Sequence, residues 1–417
     1  MVSVLLVLKD KCLGARVNRN KAHSKVVDVT TFGAKGDGVA DDTKAFLRAW
    51  EAACNKDSAT LHIPVDHRFL VGPLTFSGPC KSNIVFQVDG SIIVQVNPKA
   101  WTSKLVEWIN FEILNGITIA GKGTLDGQGA VWWKISKLQD EVNDSRYSGS
   151  SLLSVRPTAL RFYKSYDVSV QGITIQNSPK CHLKFDFCTS VKVVGVTISS
   201  PADSPNTDGI HLQDSRDVEI HHSSMACGDD CVSIQTGSSG IRIHNINCGP
   251  GHGVSIGALG EDGTKACVSN VSIYDIKIHD ASNGGRIKTW QGGSGRLKSV
   301  SFSNIKVSNV RVPINIDQFY CHDKPCSNHT SAVFISDITY EKVTGTYLDT
   351  PVNLACSDDV PCTHLKFKGI ELQPADRDEK SPFCWNSYGE QQSGAGCLKT
   401  GTPPNDPSLG HSPKDAC

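Results

Sequence analysis

The sequence predicts an all-β fold, a right-handed single-stranded parallel β-helix with an N-terminal capping helix. Three observations carry this. A unit recurs: Asp167-Val168-Ser169-Val170-Gln171-Gly172-Ile173-Thr174-Ile175 matches Ser190-Val191-Lys192-Val193-Val194-Gly195-Val196-Thr197-Ile198 at a shift of 23. Similar short strands follow at Val218-Glu219-Ile220, Ile241-Arg242-Ile243, Val271-Ser272-Ile273 and Val300-Ser301-Phe302. Such steps fall in the period range of stacked repeats. No helical pattern lies between these strands, which removes a βαβ reading. An antiparallel sandwich would need hairpin turns rather than a repeat that keeps its phase.

In chain order, residues 1–25 read as a leader or disordered arm. Val2 to Leu8 is apolar, but no positive residue precedes it and Lys9-Asp10-Lys11 follows at once, which fits a signal peptide poorly. The catalytic β-helix domain is expected over 26–398, opening with a strand at Val27-Asp28-Val29. Asp41-Asp42-Thr43 then starts a helix whose apolar residues Ala45, Phe46, Ala49, Trp50 and Ala53 keep a helical period. An Asp N-cap is expected there. This is the only helix the pattern supports, and its role is to cover the open end of the solenoid. The repeat fades from about Gly345. Cys356, Cys362, Cys384, Cys397 and Cys417 then suggest a stapled C-terminal end, with a tail over 399–417.

Lys+Arg and Asp+Glu both number 42, so no global field points to nucleic acid or a membrane surface. No apolar stretch reaches the ~18 residues of a membrane span. Sixteen cysteines without a paired CxxC pattern indicate disulfides in an oxidising compartment rather than zinc. Neighbours in sequence are candidate pairs: Cys181 with Cys188, Cys321 with Cys326, Cys356 with Cys362. Glycosylation triplets at Asn143, Asn270 and Asn328 fit secretion.

Four polar blocks interrupt the strands: Asn206-Thr207-Asp208, Gly228-Asp229-Asp230, Gly251-His252-Gly253 and Arg286-Ile287-Lys288. Asp208 to Asp229 spans 21 positions and Asp230 to His252 spans 22. At coil-length intervals these residues stack on one face. Crowded carboxylates cannot all ionise cheaply, so one keeps a proton for acid catalysis. A Gly-Asp-Asp turn alone is more often a solvated surface feature. Asp229 and Asp230 would face opposite sides of a regular strand. Both reach one cleft only if the chain bends at Gly228, a bend that Cys227 and Cys231 could lock. Three Asp and a His could hold a divalent cation, but Arg286 and Lys288 would repel one and instead suit an anionic ligand. No metal or other cofactor is expected.

Together with Ser204-Pro205, Cys231 and Gly249-Pro250, these blocks resemble the signature of the polygalacturonases of glycoside hydrolase family 28. Arg156-Pro157-Thr158 and Gln291-Gly292-Gly293-Ser294-Gly295 look like the plant branch of that family. The resemblance covers about residues 26 to 345. It implies a parallel β-helix that hydrolyses α-1,4-galacturonosyl bonds with inversion. It implies that Asp229 is the general acid and that Asp208 and Asp230 activate water. His252 would support the acid, and Asn206, Arg286, Lys288 and Tyr320 would bind substrate, the two cations through galacturonate carboxylates. Cys231 and Cys248 match a disulfide of the family. Rungs ~4.8 Å apart would by themselves favour retention; inversion is what the resemblance adds. Ala258-Leu259-Gly260-Glu261-Asp262 departs from a loop common among relatives.

The expected protein is a secreted, monomeric pectinase of the cell wall acting on polygalacturonate, endo rather than exo. A rhamnogalacturonan hydrolase, a calcium-assisted lyase on a similar solenoid, and a pectin-binding wall protein without turnover are the alternatives.

Overall fold

The computed structural model describes residues 25–96, 101, 106–141, 156–321, 326, 328–376, 378–392 and 397–403; the side chains of 25 and 136–141 are outside that description. Residues 1–24 of the expected leader, the Asn143 triplet and the tail beyond 403 lie outside the described residues. Among those described, strands form two parallel sheets, one of 20 strands and one of 11.

The sequence repeat is the structural register. Val170 pairs with Val193, Val193 with Ile220, Ile220 with Ile243 and Ile243 with Ile273. Their side chains are buried, so each coil stacks its apolar column on the next and the core runs along the solenoid axis. The chain turns where residues adopt a left-handed conformation at equivalent places in successive coils: Asp167, Ser190, Asp217, Gly240, Asn270, Ser299 and Asp337. Asp and Asn tolerate this conformation better than other side chains. Aromatic rings of Phe111, Phe162 and Phe185 stack at 5.3 and 5.2 Å in the same way.

The capping helix spans Thr43–Cys54 and buries Ala45, Phe46, Ala49, Trp50 and Ala53. Its N-cap residue is an Asp, Asp42, as expected, but without a side-chain capping bond. The Asp42 carboxylate does not cap the helix; it turns back to accept from the backbone N–H groups of Lys35 (2.6 Å) and Gly36 (3.1 Å). Asp41 instead accepts from Thr43 N at 3.0 Å. A second helix, Ala130–Glu141, was not expected. Among its described side chains two adjacent tryptophans anchor it, Trp132 against Trp101 at 5.8 Å and Trp133 donating to Ser178 O at 3.2 Å. That anchoring is not a repeating apolar stripe.

The coils also continue past Gly345. Strand Phe334–Tyr347 pairs with Cys362–Pro374, which pairs with Ser387–Gln392. Only the sequence similarity fades; buried Leu365, Phe367 and Ile370 keep the inward alternation. Disulfides join Cys321–Cys326, Cys356–Cys362 and Cys231–Cys248 as expected, and also Cys54–Cys80 and Cys384–Cys397. Cys181 and Cys188 are instead free and buried. An extended strand, Leu183–Asp186, lies between them. At ~3.3 Å per residue it carries them far beyond the ~7 Å Cα limit of a disulfide.

Candidate active site

Strands Ile210–Gln213, Val232–Ile234, Val254–Leu259 and Asn283–Trp290 are consecutive rungs of the 11-stranded sheet, with Ile210, Val232, Val254 and Gly285 in register. Asp208, Asp230 and His252 each stand two residues before the first of these positions. They therefore form one column. Backbone hydrogen bonds hold it: Gly209 N to Asp230 O at 2.9 Å, and His252 N to Asp229 O at 2.8 Å.

Asp229 joins the column because the chain leaves strand geometry between Ala226 and Val232. Gly228 permits this through close approach: a Cβ there would lie 1.9 Å from Ser204 O. Its N–H donates to Thr207 Oγ1 at 2.9 Å. The bend is not locked by a Cys227–Cys231 pair. Cys231 bonds Cys248, one coil on, and Cys227 is a free buried thiol.

The carboxylates have different surroundings. Asp230, 1% exposed, accepts from Arg286 at 2.7 Å and Ser255 Oγ at 2.6 Å on one oxygen, and from Lys288 at 3.0 Å on the other. Asp229 Oδ1 lies 3.0 Å from His252 Nδ1 and accepts from Asp230 N at 2.8 Å. Asn206 Nδ2 approaches Asp229 Oδ2 at 3.4 Å, while Arg156 donates to Asn206 Oδ1 at 2.5 Å. Asp208 Oδ2 stands 3.6 Å from His211 Nδ1. Tyr320 lies beyond, with the Lys288 ammonium 5.2 Å from its ring centre.

Charge follows from this. Burial pushes the Asp208 carboxyl up, and the neighbouring Asp229 and Asp230 push the same way against the pull of His211. Burial also acts on Asp229, but the hydrogen bond and charge of His252, with Lys288 and Arg286 behind, hold it below the usual carboxylate range. The carboxyl that crowding lifts is thus Asp208. Burial takes the Tyr320 hydroxyl to about 12. It takes His182 down to about 4; this imidazole is wedged between Asp208 O at 2.8 Å and Ser200 Oγ at 2.7 Å and supports the column as a neutral ring.

Asn206, Asp208, Asp229, Asp230, Lys288 and Tyr320 line one cleft of about 520 Å³. His252 and Arg286 reach it through Asp229 and Asp230. All eight residues singled out in the sequence thus belong to one cluster. The free cleft differs from expectation in one respect: Arg286 and Lys288 are both turned to Asp230. Asp229, Asp230 and His252 bring donor atoms within 4.8 Å of one another. A guanidinium and an ammonium already fill the Asp230 oxygens, so the set suits a cation poorly. Sequence reasoning missed Ser255 and His211. Their signal was polar side chains at outward positions of otherwise apolar strands: Lys184, His211, Ser233, Ser255 and Arg286 are in register.

The sequence model described as Glycosyl hydrolases family 28 matches residues 25–393. The chain belongs to this family. A family member called polygalacturonase in Cryptomeria japonica is 43% identical over 354 residues, covering 84% of this chain and 67% of its own. One of the same name in Malus domestica is 37% identical over 379 residues, covering 88% and 80%. The solved polygalacturonase of Erwinia carotovora superposes with a TM-score of 0.71 over 91% of this chain and 97% of that one, at 23% identity, a likeness of fold. Family membership fits the parallel solenoid and the column of carboxylates on its cleft face.

Proposed function

We propose that the protein is a polygalacturonase that hydrolyses α-1,4-galacturonosyl bonds of pectin in the cell wall, with inversion. The observation that carries this is the convergence of three aspartates and Lys288 in one open cleft, with Arg286 behind Asp230. Acid–base glycoside hydrolysis needs the carboxyls, and an acidic sugar needs the cations. Asp229 Oδ1 lies within hydrogen-bond reach of His252 Nδ1, at 3.0 Å. An anionic sugar entering the cleft draws on Arg286 and Lys288 and excludes water, which weakens what holds Asp229 low. Asp229 then takes up a proton and gives it to the leaving glycosidic oxygen as the C1–O bond breaks. Asp208, the more basic carboxylate, takes a proton from the attacking water while Asp230 orients that water. Asn206 and Tyr320 border the sugar.

The disulfides support an oxidising, extracellular location. Asn270 and Asn328 are exposed and so open to glycosylation. A monomer with endo action is the working state. Asp229→Asn is the test: release of reducing ends from polygalacturonate should be lost while binding is largely kept. A double bond in the product would favour a lyase. A wild type that binds and never cleaves would favour a wall-binding protein.

A further inference from the structure

The cleft is electrically uneven. Of its three lining lysines, Lys288 is paired with Asp230 at 3.0 Å and Lys184 with Asp186 at 3.2 Å. Lys180 has no ion-pair partner among the described residues. It enters from the coil of strand Leu183–Asp186. Three rungs further on, about 14 Å along the axis, strand Val254–Leu259 leads into the turn Glu261–Gly263. Glu261 lines the cleft there and is exposed. Only its backbone carbonyl has a described hydrogen bond, from Thr264 Oγ1 at 2.6 Å and Thr264 N at 3.1 Å. Its carboxylate has none. Trp290 also lines the cleft, at the end of strand Asn283–Trp290, which packs against this turn. One region thus offers a free cation, and another offers a free anion beside an aromatic ring.

We infer that Glu261 is a specificity residue that makes the subsite under the turn at 260–264 prefer an uncharged, methyl-esterified galacturonate over an ionised one. The inference rests on the hydrolase reading above. An ionised uronate there faces a carboxylate with no cation between them. An ester removes the like-charge contact and leaves Glu261 free to accept from sugar hydroxyls, while the ring of Trp290 covers an apolar sugar face. Lys180, at the other region, suits an ionised uronate. The protein would therefore cleave best where a charged and an esterified residue flank the scissile region.

The test compares wild type, Glu261→Gln and Glu261→Lys on polygalacturonate and on pectin of intermediate methyl-esterification, at low and at high salt. The Gln variant should gain about fivefold in kcat/KM on polygalacturonate, through KM, the factor set by ~1 kcal/mol between unit charges ~4 Å apart in water. Its rate on esterified pectin should change less than twofold. The Lys variant should shift the ratio further the same way, and high salt should shrink both effects. An unchanged substrate ratio, or an equal change on both substrates, overturns the role of Glu261. A wild type that cleaves neither substrate overturns the hydrolase reading itself, an outcome distinct from the first.

Discussion

Arg286 and Lys288 hold the carboxylate of Asp230 from two sides, at 2.7 and 3.0 Å, in surroundings where all three side chains are almost wholly buried. Removing one cation leaves a buried charge short of a partner. Lys288→Ala should cost about 3 kcal/mol in urea unfolding, the cost of breaking a buried pair, and should lower kcat/KM about a hundredfold. A loss below about 1 kcal/mol would show that the pair is not held as described.

Asp208 is the carboxyl that the fold makes hard to ionise. Its folded pKa is raised above the unfolded value of 3.8. The folded state therefore favours the proton, and ionising Asp208 costs stability once pH rises through the folded pKa. Asp208→Asn should be inactive yet more stable at neutral pH, on the order of 1 kcal/mol. The gain should disappear below the unfolded pKa, where both proteins are neutral at this position. Melting curves across pH read this directly; equal or lower stability at neutral pH contradicts it.

In the proposed mechanism the same group sets an activity limb. Asp208 must be ionised to take a proton from water, so kcat/KM should fall on acidification with an apparent pKa above the ordinary carboxylate value of 3.8. A pH–rate profile on polygalacturonate checks this. A limb at or below that value would remove Asp208 from the role of base.

Much of this was legible in the sequence because a solenoid writes its geometry into its period. The 23-residue shift is the pairing of Val170 with Val193, and spacings near 22 place Asp208, Asp230 and His252 in one column. What was not legible depends on side chains that meet far apart in the chain. Asp230 and Lys288 are 58 residues apart, and nothing in either block says that the lysine turns to the aspartate rather than to the solvent. Nor does crowding alone say which carboxyl rises: His252 decides against Asp229 by a 3.0 Å contact. The helix Ala130–Glu141 and the free thiols Cys181 and Cys188 escaped for local reasons, two adjacent tryptophans in one case and an intervening extended strand in the other.

Gly228 sits where a Cβ would be 1.9 Å from Ser204 O. Gly228→Ala must push the bend outward and move Asp229 and Asp230 with it. It should destabilise the fold by about 1–3 kcal/mol and remove most turnover, since small misplacements of catalytic groups are costly. Near-normal activity in this variant would show that the close approach does not position the carboxylates.

Hydrolysis with inversion by the three aspartates fixes which anomer is released first. Proton NMR of polygalacturonate in the first minutes of digestion tests it most directly. Saturated reducing ends should appear first as the β-anomer and mutarotate afterwards. First appearance of the α-anomer, or of an unsaturated sugar, would contradict it.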